Sequence, residues 1–462
     1  NAEAHNAEAH NAEAPSSKHT HHQKKSDIHG AYPNESDEEE TSTAGMDLAG
    51  HVTSHQHGYY CLAFLFGTIG IGCVLQVVQE RFLPKVPYTC MLFLTGVILA
   101  SIHFQRPRHW RELRWTTKGT WYFSVDMWEH IDPHLIFYVF LPVLIFSEAM
   151  RLNVTLSTRV LRQVLLLACP GVVIGTGMTA VFAKYVLPYD FSWTVALVFG
   201  SILSATDPVA VVALFNTLGV SPRLTLLVSG ESLLNDGTAM VCFSLVLKLI
   251  TGGAITWQYA LKYSLWMVFA AVVLGVIVAW AMLIIISWCA ETKYHTDAMI
   301  QVSLSIVCGF LCFFLAESEV ETSGVLTVVS AGAVFSYMAW PYFASREIMH
   351  IVWEAIEFIG NTVIFTLAGL LFGHRAMTRA EYSHLGWVDI AYLLVLYAGL
   401  TAIRAIMIFG MLPILNCIGT KISWQEAVVM VWAGLRGAVG LVLAIVVDVN
   451  SGRDSDTGSK IM

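Results

Sequence analysis

From Gly58 onward the chain is a succession of apolar runs joined by short polar connections. Twelve of them read as helices suited to a hydrocarbon layer about 30 Å thick: 58–80, 87–105, 134–150, 160–187, 192–219, 222–250, 259–288, 295–317, 322–343, 350–373, 386–413 and 423–449. One connection, 106–133, is longer and rich in Trp, Arg and His, which places it at the membrane interface. Residues 1–57 are a different material. Asn-Ala-Glu-Ala-His occurs at 1–5 and 6–10 and then decays to Asn-Ala-Glu-Ala-Pro; His19, His21 and His22 and an acidic stretch from Glu35 to Glu40 follow. This segment has almost nothing to bury and reads as a disordered polar tail, with metal capture by its histidines the lesser reading. The organisation expected is therefore a tail, 1–57, and a membrane domain, 58–462.

Composition agrees with lipid as the solvent. Apolar residues make up 56% of the chain, charged residues 13%, and mean hydropathy is +0.61. A water-soluble protein carries about 25% charged residues. The net charge of −8 gives no nucleic-acid footprint. The nine cysteines include no Cys-x-x-Cys pair, so a disulfide framework or a cysteine zinc site is not expected. No Gly-x-x-x-x-Gly-Lys-Ser/Thr loop is present, and no cofactor is expected. Orientation is contested: an outside N-terminus puts nine basic residues in inside loops and twelve in outside loops. The positive-inside rule favours the reverse.

A charge at mid-bilayer costs roughly 2.5–3.5 kcal/mol on insertion scales, so such residues face a cavity or a partner. Three groups stand out. Ser204-Ala205-Thr206-Asp207-Pro208 lies halfway along the 192–219 run, where Pro208 removes a backbone donor and turns Asp207 away from helical geometry. A helix break at mid-membrane follows, tolerated only against protein or a watery cavity. In the next run, Glu231, Ser232, Asn235 and Asp236 fall within about 140° of one helix face. A simple helix cap accounts for Glu231 and Ser232 but not for Asn235 and Asp236 a turn deeper. Arg404 is the only charge between Ala391 and Leu415, and Arg436 lies in Gly434-Leu435-Arg436-Gly437, where the glycines allow a second broken helix. Each arginine needs an anion, and Glu231 and Asp207 are the available ones; a purely structural salt bridge is the competing reading.

Two interrupted helices with carboxylates and hydroxyls beside them describe a secondary transporter for a hard cation and protons. Thr206, Asp207, Ser232 and Asp236 supply oxygens. A rival from another class is an intramembrane protease built on Asp207 and Asp236, which requires two carboxyls sharing a proton; the nearby arginines oppose it. Another is a sensor whose transporter-like fold feeds a regulatory domain beyond residue 462.

The string from Ser204 to Asp236, with Thr-Asp-Pro-Val-Ala-Val-Val and Gly-Glu-Ser-Leu-Leu-Asn-Asp-Gly, resembles the sodium/proton exchangers of the cation:proton antiporter superfamily. Val86-Pro87-Tyr88-Thr89, Phe140-Leu141-Pro142, Ser323-Gly324-Val325-Leu326-Thr327 and Gly434-Leu435-Arg436-Gly437-Ala438-Val439 extend the resemblance over Val86 to Val447. It is nearest to plant salt-overly-sensitive plasma-membrane exchangers and sperm-type exchangers. The resemblance implies an all-α, NhaA-like inverted-repeat fold of thirteen membrane helices, the thirteenth beyond Met462. Two broken helices would cross at mid-membrane, and a core domain would rock against a dimerisation domain. It implies Na⁺ and H⁺ bound in turn at Asp236, with Thr206, Asp207 and Ser232 as helpers and Asn235 as the mark of electroneutral exchange. It also implies a supporting Glu231–Arg404 pair, a helix break involving Pro208 and another involving Gly434, Arg436 and Gly437. A homodimer in the plasma membrane, an outside N-terminus, and K⁺ or Li⁺ as alternative ions complete the expectation.

Overall fold

The computed structural model describes residues 60–84, 86–104, 117–250, 256–289, 295–383 and 387–450, and all the regular structure in them is helical. The tail 1–57 and most of the polar stretch after Asp448 lie outside the described residues, as do 105–116 of the long connection. Each apolar run expected from the sequence appears as a helix or as a pair of short helices. In chain order these are α1 (Tyr60–Phe82), α2 (Tyr88–Phe104), α3 (Thr117–Glu129), α4 (Pro133–Arg151), α5 (Val154–Leu166), α6 (Val172–Val186), α7 (Trp193–Ile202), α8 (Val209–Leu218), α9 (Pro222–Ile250), α10 (Trp257–Cys289), α11 (His295–Phe314), α12 (Gly324–Met338), α13 (Arg346–Ser383), α14 (Trp387–Ile418), α15 (Trp424–Trp432) and α16 (Ala438–Asn450).

Three differences from the sequence expectation have physical causes. The 106–133 connection contains α3, a helix of 13 residues that its Trp and charged residues hid from a hydropathy reading. The run 350–373 is only the apolar middle of α13, which reaches 38 residues because charged turns extend it at both ends. The run 386–413 continues past Pro413 to Ile418, so the proline is held inside α14 rather than ending it. A π-helical turn, Leu167–Gly171, carries Pro170 and joins α5 to α6 without ending the span Leu156–Val186.

Among the described residues, eight helical spans, α5 and α6 together counting as one, are long and apolar enough to cross a membrane, and the shorter apolar α2, α7 and α12 accompany them. This is a multi-pass membrane protein. The packing resolves into two bundles. In one, α5, α6, α7 and α9 pack together, and α14 packs on α5, α6 and α15. In the other, α13 lies along α2 and α4, α10, α11 and α12 pack on one another, and α11 and α12 pack on α4. Phe146 meets Phe335 edge-on and Trp353 at a tilt within the second bundle, where Trp353 Nε1 donates to Ser305 Oγ at 3.1 Å. The outer faces are apolar, as lipid contact requires: Trp266, Phe269, Ile277 and Trp280 of α10 are all exposed. Helices α9, α12, α4 and α16 bridge the two bundles.

Candidate functional site

The two short helix pairs are built alike. Ser192 caps α7, accepting the Val195 N–H at 3.3 Å. Ser423 caps α15 through a reciprocal capping box with Glu426. Ten residues of α7 rise about 15 Å, so the helix ends near mid-membrane. There residues 203–208 run without helical structure before α8 begins, and 433–437 do the same between α15 and α16. The two breaks touch: the Asp207 backbone N–H donates to the Leu435 carbonyl at 2.8 Å, and Arg436 Nη1 donates to the Ala205 carbonyl at 3.5 Å. Loosened backbone thus finds partners across the crossing instead of facing lipid.

The charges follow the helix dipoles. Asp207 sits at the positive end of α8, where its Oδ1 accepts the Val209 N–H at 2.9 Å. Arg436 faces the carbonyl just past the negative end of α7, and Arg404 Nε donates at 3.1 Å to the Met430 carbonyl in the last turn of α15. The residues alone left Glu231 and Asp207 open as anions for the arginines, and the family resemblance implied a Glu231–Arg404 pair. The structure pairs Arg404 with Glu231 across 173 residues, with Nη2 at 3.1 and 3.2 Å from the two carboxylate oxygens. Both side chains are buried.

Gly434 and Gly437 are needed for close approach rather than for an unusual backbone. Among the described residues the one glycine at positive φ is Gly219, after α8. A Cβ on Gly434 would run into the Arg404 side chain, and one on Gly437 into Asp207. Gly437→Val therefore pushes Asp207 off its cap. Overpacking of this kind costs typically 1–3 kcal/mol; a lower melting temperature of the purified variant in detergent is the expected result.

Helix α9 supplies the third side of the crossing. Asn235 Nδ2 donates to the Ser204 carbonyl at 2.8 Å and to Thr206 Oγ1 at 3.0 Å, and Ser232 Oγ donates to the Thr206 carbonyl. These side chains pin the broken backbone against α9. Asp236 receives a hydrogen bond from the Thr206 backbone N–H. Asp236 Oδ1 and Asn235 Oδ1 are buried acceptors with no hydrogen-bond partner among the described residues. In a dry interior such acceptors call for a cation or a proton.

The structure also brings in groups that the sequence reading passed over. Glu148 of α4 faces Asp207, Asp236 and Glu357 closely enough for direct Coulombic coupling. Glu357 of α13 is held by Arg151 Nη2 at 2.9 Å and by the Ser147 hydroxyl at 2.9 Å. Three helix-borne carboxylates (Glu148, Asp236 and Glu357) and Asp207 of the break before α8 therefore converge, with Arg151 beside them. The signal was present in the sequence: Glu357 lies inside the 350–373 apolar run, and Glu148 near the end of the 134–150 run. Both satisfy the same intramembrane-charge argument that singled out Asp236. Two cavities flank the crossing, and Arg436 lines both. The larger, about 260 Å³, is lined by Phe93, Phe199, Ile364, Gly437 and Ala444. The smaller, about 30 Å³, is room for roughly one water and is lined by Ser204, Glu231, Asn235 and Arg404.

The family model "Sodium/hydrogen exchanger, transmembrane" matches residues 64–454. The chain belongs to the sodium/hydrogen exchanger family. It is 33% identical over 390 residues to sodium/hydrogen exchanger 7 of Arabidopsis thaliana, a match covering 83% of this chain and 33% of that protein. It is 32% identical to the Na(+)/H(+) antiporter ApNhaP of Aphanothece halophytica, over 84% of this chain and 67% of that one. The solved structure of the sodium proton antiporter MjNhaP1 from Methanocaldococcus jannaschii superposes with a TM-score of 0.68 at 19% identity, covering 87% of this chain and 90% of that one. The expected antiporter fold is thereby shown. The chain spans a third of Arabidopsis exchanger 7 and about half (49%) of Arabidopsis exchanger 8.

Proposed function

We propose that this chain is the transporting domain of an electroneutral Na⁺/H⁺ antiporter that works by alternating access, as a homodimer in the plasma membrane, and regulates pH and sodium. The observation that carries the reading is Asp236: a buried carboxylate at the crossing of two broken helices, with one oxygen held by the Thr206 N–H and the other without a hydrogen-bond partner among the described residues. Such an oxygen takes Na⁺ or a proton, one at a time. Thr206, Asp207 and Ser232 surround it. The Ser232 hydroxyl and one Asp207 oxygen are already engaged with backbone, so in this reading they hold the site's shape and contribute the remaining lone pairs. Names among the relatives, such as the "Low-affinity Na(+)/H(+) antiporter NhaS1" of Synechocystis, support sodium as the ion.

The charge count supports one-for-one exchange. Asn235 cannot titrate, and Glu231 is engaged by Arg404 at 3.1 Å rather than by the transported ions. Asp236 then alternates between Na⁺ and H⁺, and the loaded site has the same charge in both directions. The test uses the protein reconstituted in vesicles with an internal pH dye, under Na⁺, K⁺ or Li⁺ gradients and with imposed potentials. A Na⁺ gradient is expected to drive proton flux that an imposed potential leaves unchanged. A steady Na⁺-driven current would make Asp207 or Glu148 a second titrating carrier. Flux with K⁺ or Li⁺ but not Na⁺ would reassign the ion.

A further inference from the structure

At the membrane face where α2 ends, three chain segments bring together His103, Glu129 and His374. His103 is buried in the last turn of α2, and Glu129 is the last residue of α3. His374 lies in the final third of α13. The ligating atoms of all three lie within 4.8 Å of one another, and His374 Nε2 is 2.9 Å from Glu129 Oε1. It is the one such cluster among the described residues, and none of its members belongs to the ion site. We propose that His103, Glu129 and His374 form a binding site for a borderline divalent transition metal of the Zn²⁺ class, which clamps α3 onto α2 and α13.

The donor set is what selects the ion. Two imidazoles and one carboxylate suit Zn²⁺ and its neighbours rather than Na⁺, Mg²⁺ or Ca²⁺, which take oxygen ligands. Bonds of about 2.0–2.2 Å place tetrahedral ligands about 3.4 Å apart. Contraction from the present spacing moves one side chain by about an ångström. Three protein ligands leave a fourth position, and His374, at 29% side-chain exposure, gives it access to solvent. Helix α3, at 13 residues, is too short to cross the membrane by itself. The Phe104 ring, centred 6.1 Å from that of His374, packs edge-on and restrains the imidazole.

The experiment is thermal unfolding of the full chain in detergent after chelator treatment, read by tryptophan fluorescence, with ZnCl₂ or MgCl₂ added. Trp121 and Trp128 of α3 report directly on the clamped helix. Zn²⁺ is expected to raise the melting temperature by at least about 3 °C, through binding to the folded state alone; Mg²⁺ is not. His374→Gln, at the most open of the three positions, and Glu129→Gln should each lose the Zn²⁺ shift. The tail histidines provide the control: replacing His19, His21 and His22 by Asn should leave it intact. Co²⁺ gives a second reading, a tetrahedral visible absorption present in the parent and absent in His374→Gln. No Zn²⁺ shift in the parent, or the same shift and Co²⁺ spectrum in His374→Gln, overturns the proposal.

Discussion

Asp236→Asn reduces Na⁺-driven proton flux to the level of empty vesicles while leaving the protein folded. The amide matches the carboxylate in size, so the crossing keeps its shape. Asn235 and Ser232 still pin the broken backbone of residues 204–206 through the Ser204 and Thr206 carbonyls and the Thr206 hydroxyl, and an amide oxygen at position 236 can still accept from the Thr206 N–H. The variant loses the one group at the crossing that can neutralise a cation and then take a proton in its place. Stability should hold or rise. Asp236 faces the carboxylates of Asp207 and Glu148, and removing one of several like charges from a buried cluster relieves repulsion. The measurement pairs a pH-dye flux assay with thermal melting of the same preparation. Robust flux in the variant would move the binding carboxylate elsewhere, with Glu148 first in line. Loss of flux with a collapsed melting temperature would show a structural role instead.

The legibility of this molecule in its sequence followed the length scale of each interaction. Apolar runs of membrane length are a local property, and each became a helix or a helix pair. The breaks were also local: Pro208 after Asp207, and glycines at 434 and 437 around an arginine. Partner choice was not. Composition left Arg404 with Glu231 or Asp207 as its anion, and 173 intervening residues hold nothing that decides between them. The decision comes from packing, because α14 brings Arg404 to the negative end of α15 while α9 turns Glu231 toward it. The reason for Gly434 and Gly437 was equally invisible: the space a Cβ would need belongs to Arg404 and Asp207. Glu148 and Glu357 escaped for other reasons. Glu148, near the end of its apolar run, resembles an interfacial residue until its helix is seen to end beside the interior of α13, where Arg151 and Ser147 meet Glu357; Glu357 lies inside its run, and its charge was legible there although its partners were not. Helix α3 escaped because a hydropathy reading finds helices that lipid needs, not those that lie across a membrane face.

The Glu231–Arg404 pair should show strong non-additivity, with Glu231→Gln the more damaging single change. Both groups are buried, at 3% and 8% side-chain exposure, so solvent does little to screen them. Removing one member of such a pair strands the other at a cost of about 3–5 kcal/mol. The two strandings are not equivalent here. Arg436 lies within Coulombic range of both Arg404 and Glu231. After Arg404→Ala, Glu231 still faces one arginine. After Glu231→Gln, Arg404 and Arg436 face each other with no anion between them. Arg404→Ala carries its own cost, since the Met430 carbonyl at the end of α15 loses the donor it accepts from at 3.1 Å. In the double variant Glu231→Gln/Arg404→Ala the pair's charges go together, so the loss should fall well below the sum of the singles. Thermal or denaturant unfolding of the four proteins closes the cycle. Additive losses would mean that the two side chains do not act as a pair. A milder Glu231→Gln than Arg404→Ala would mean that the Met430 carbonyl, not charge balance around Arg436, dominates this corner of the crossing.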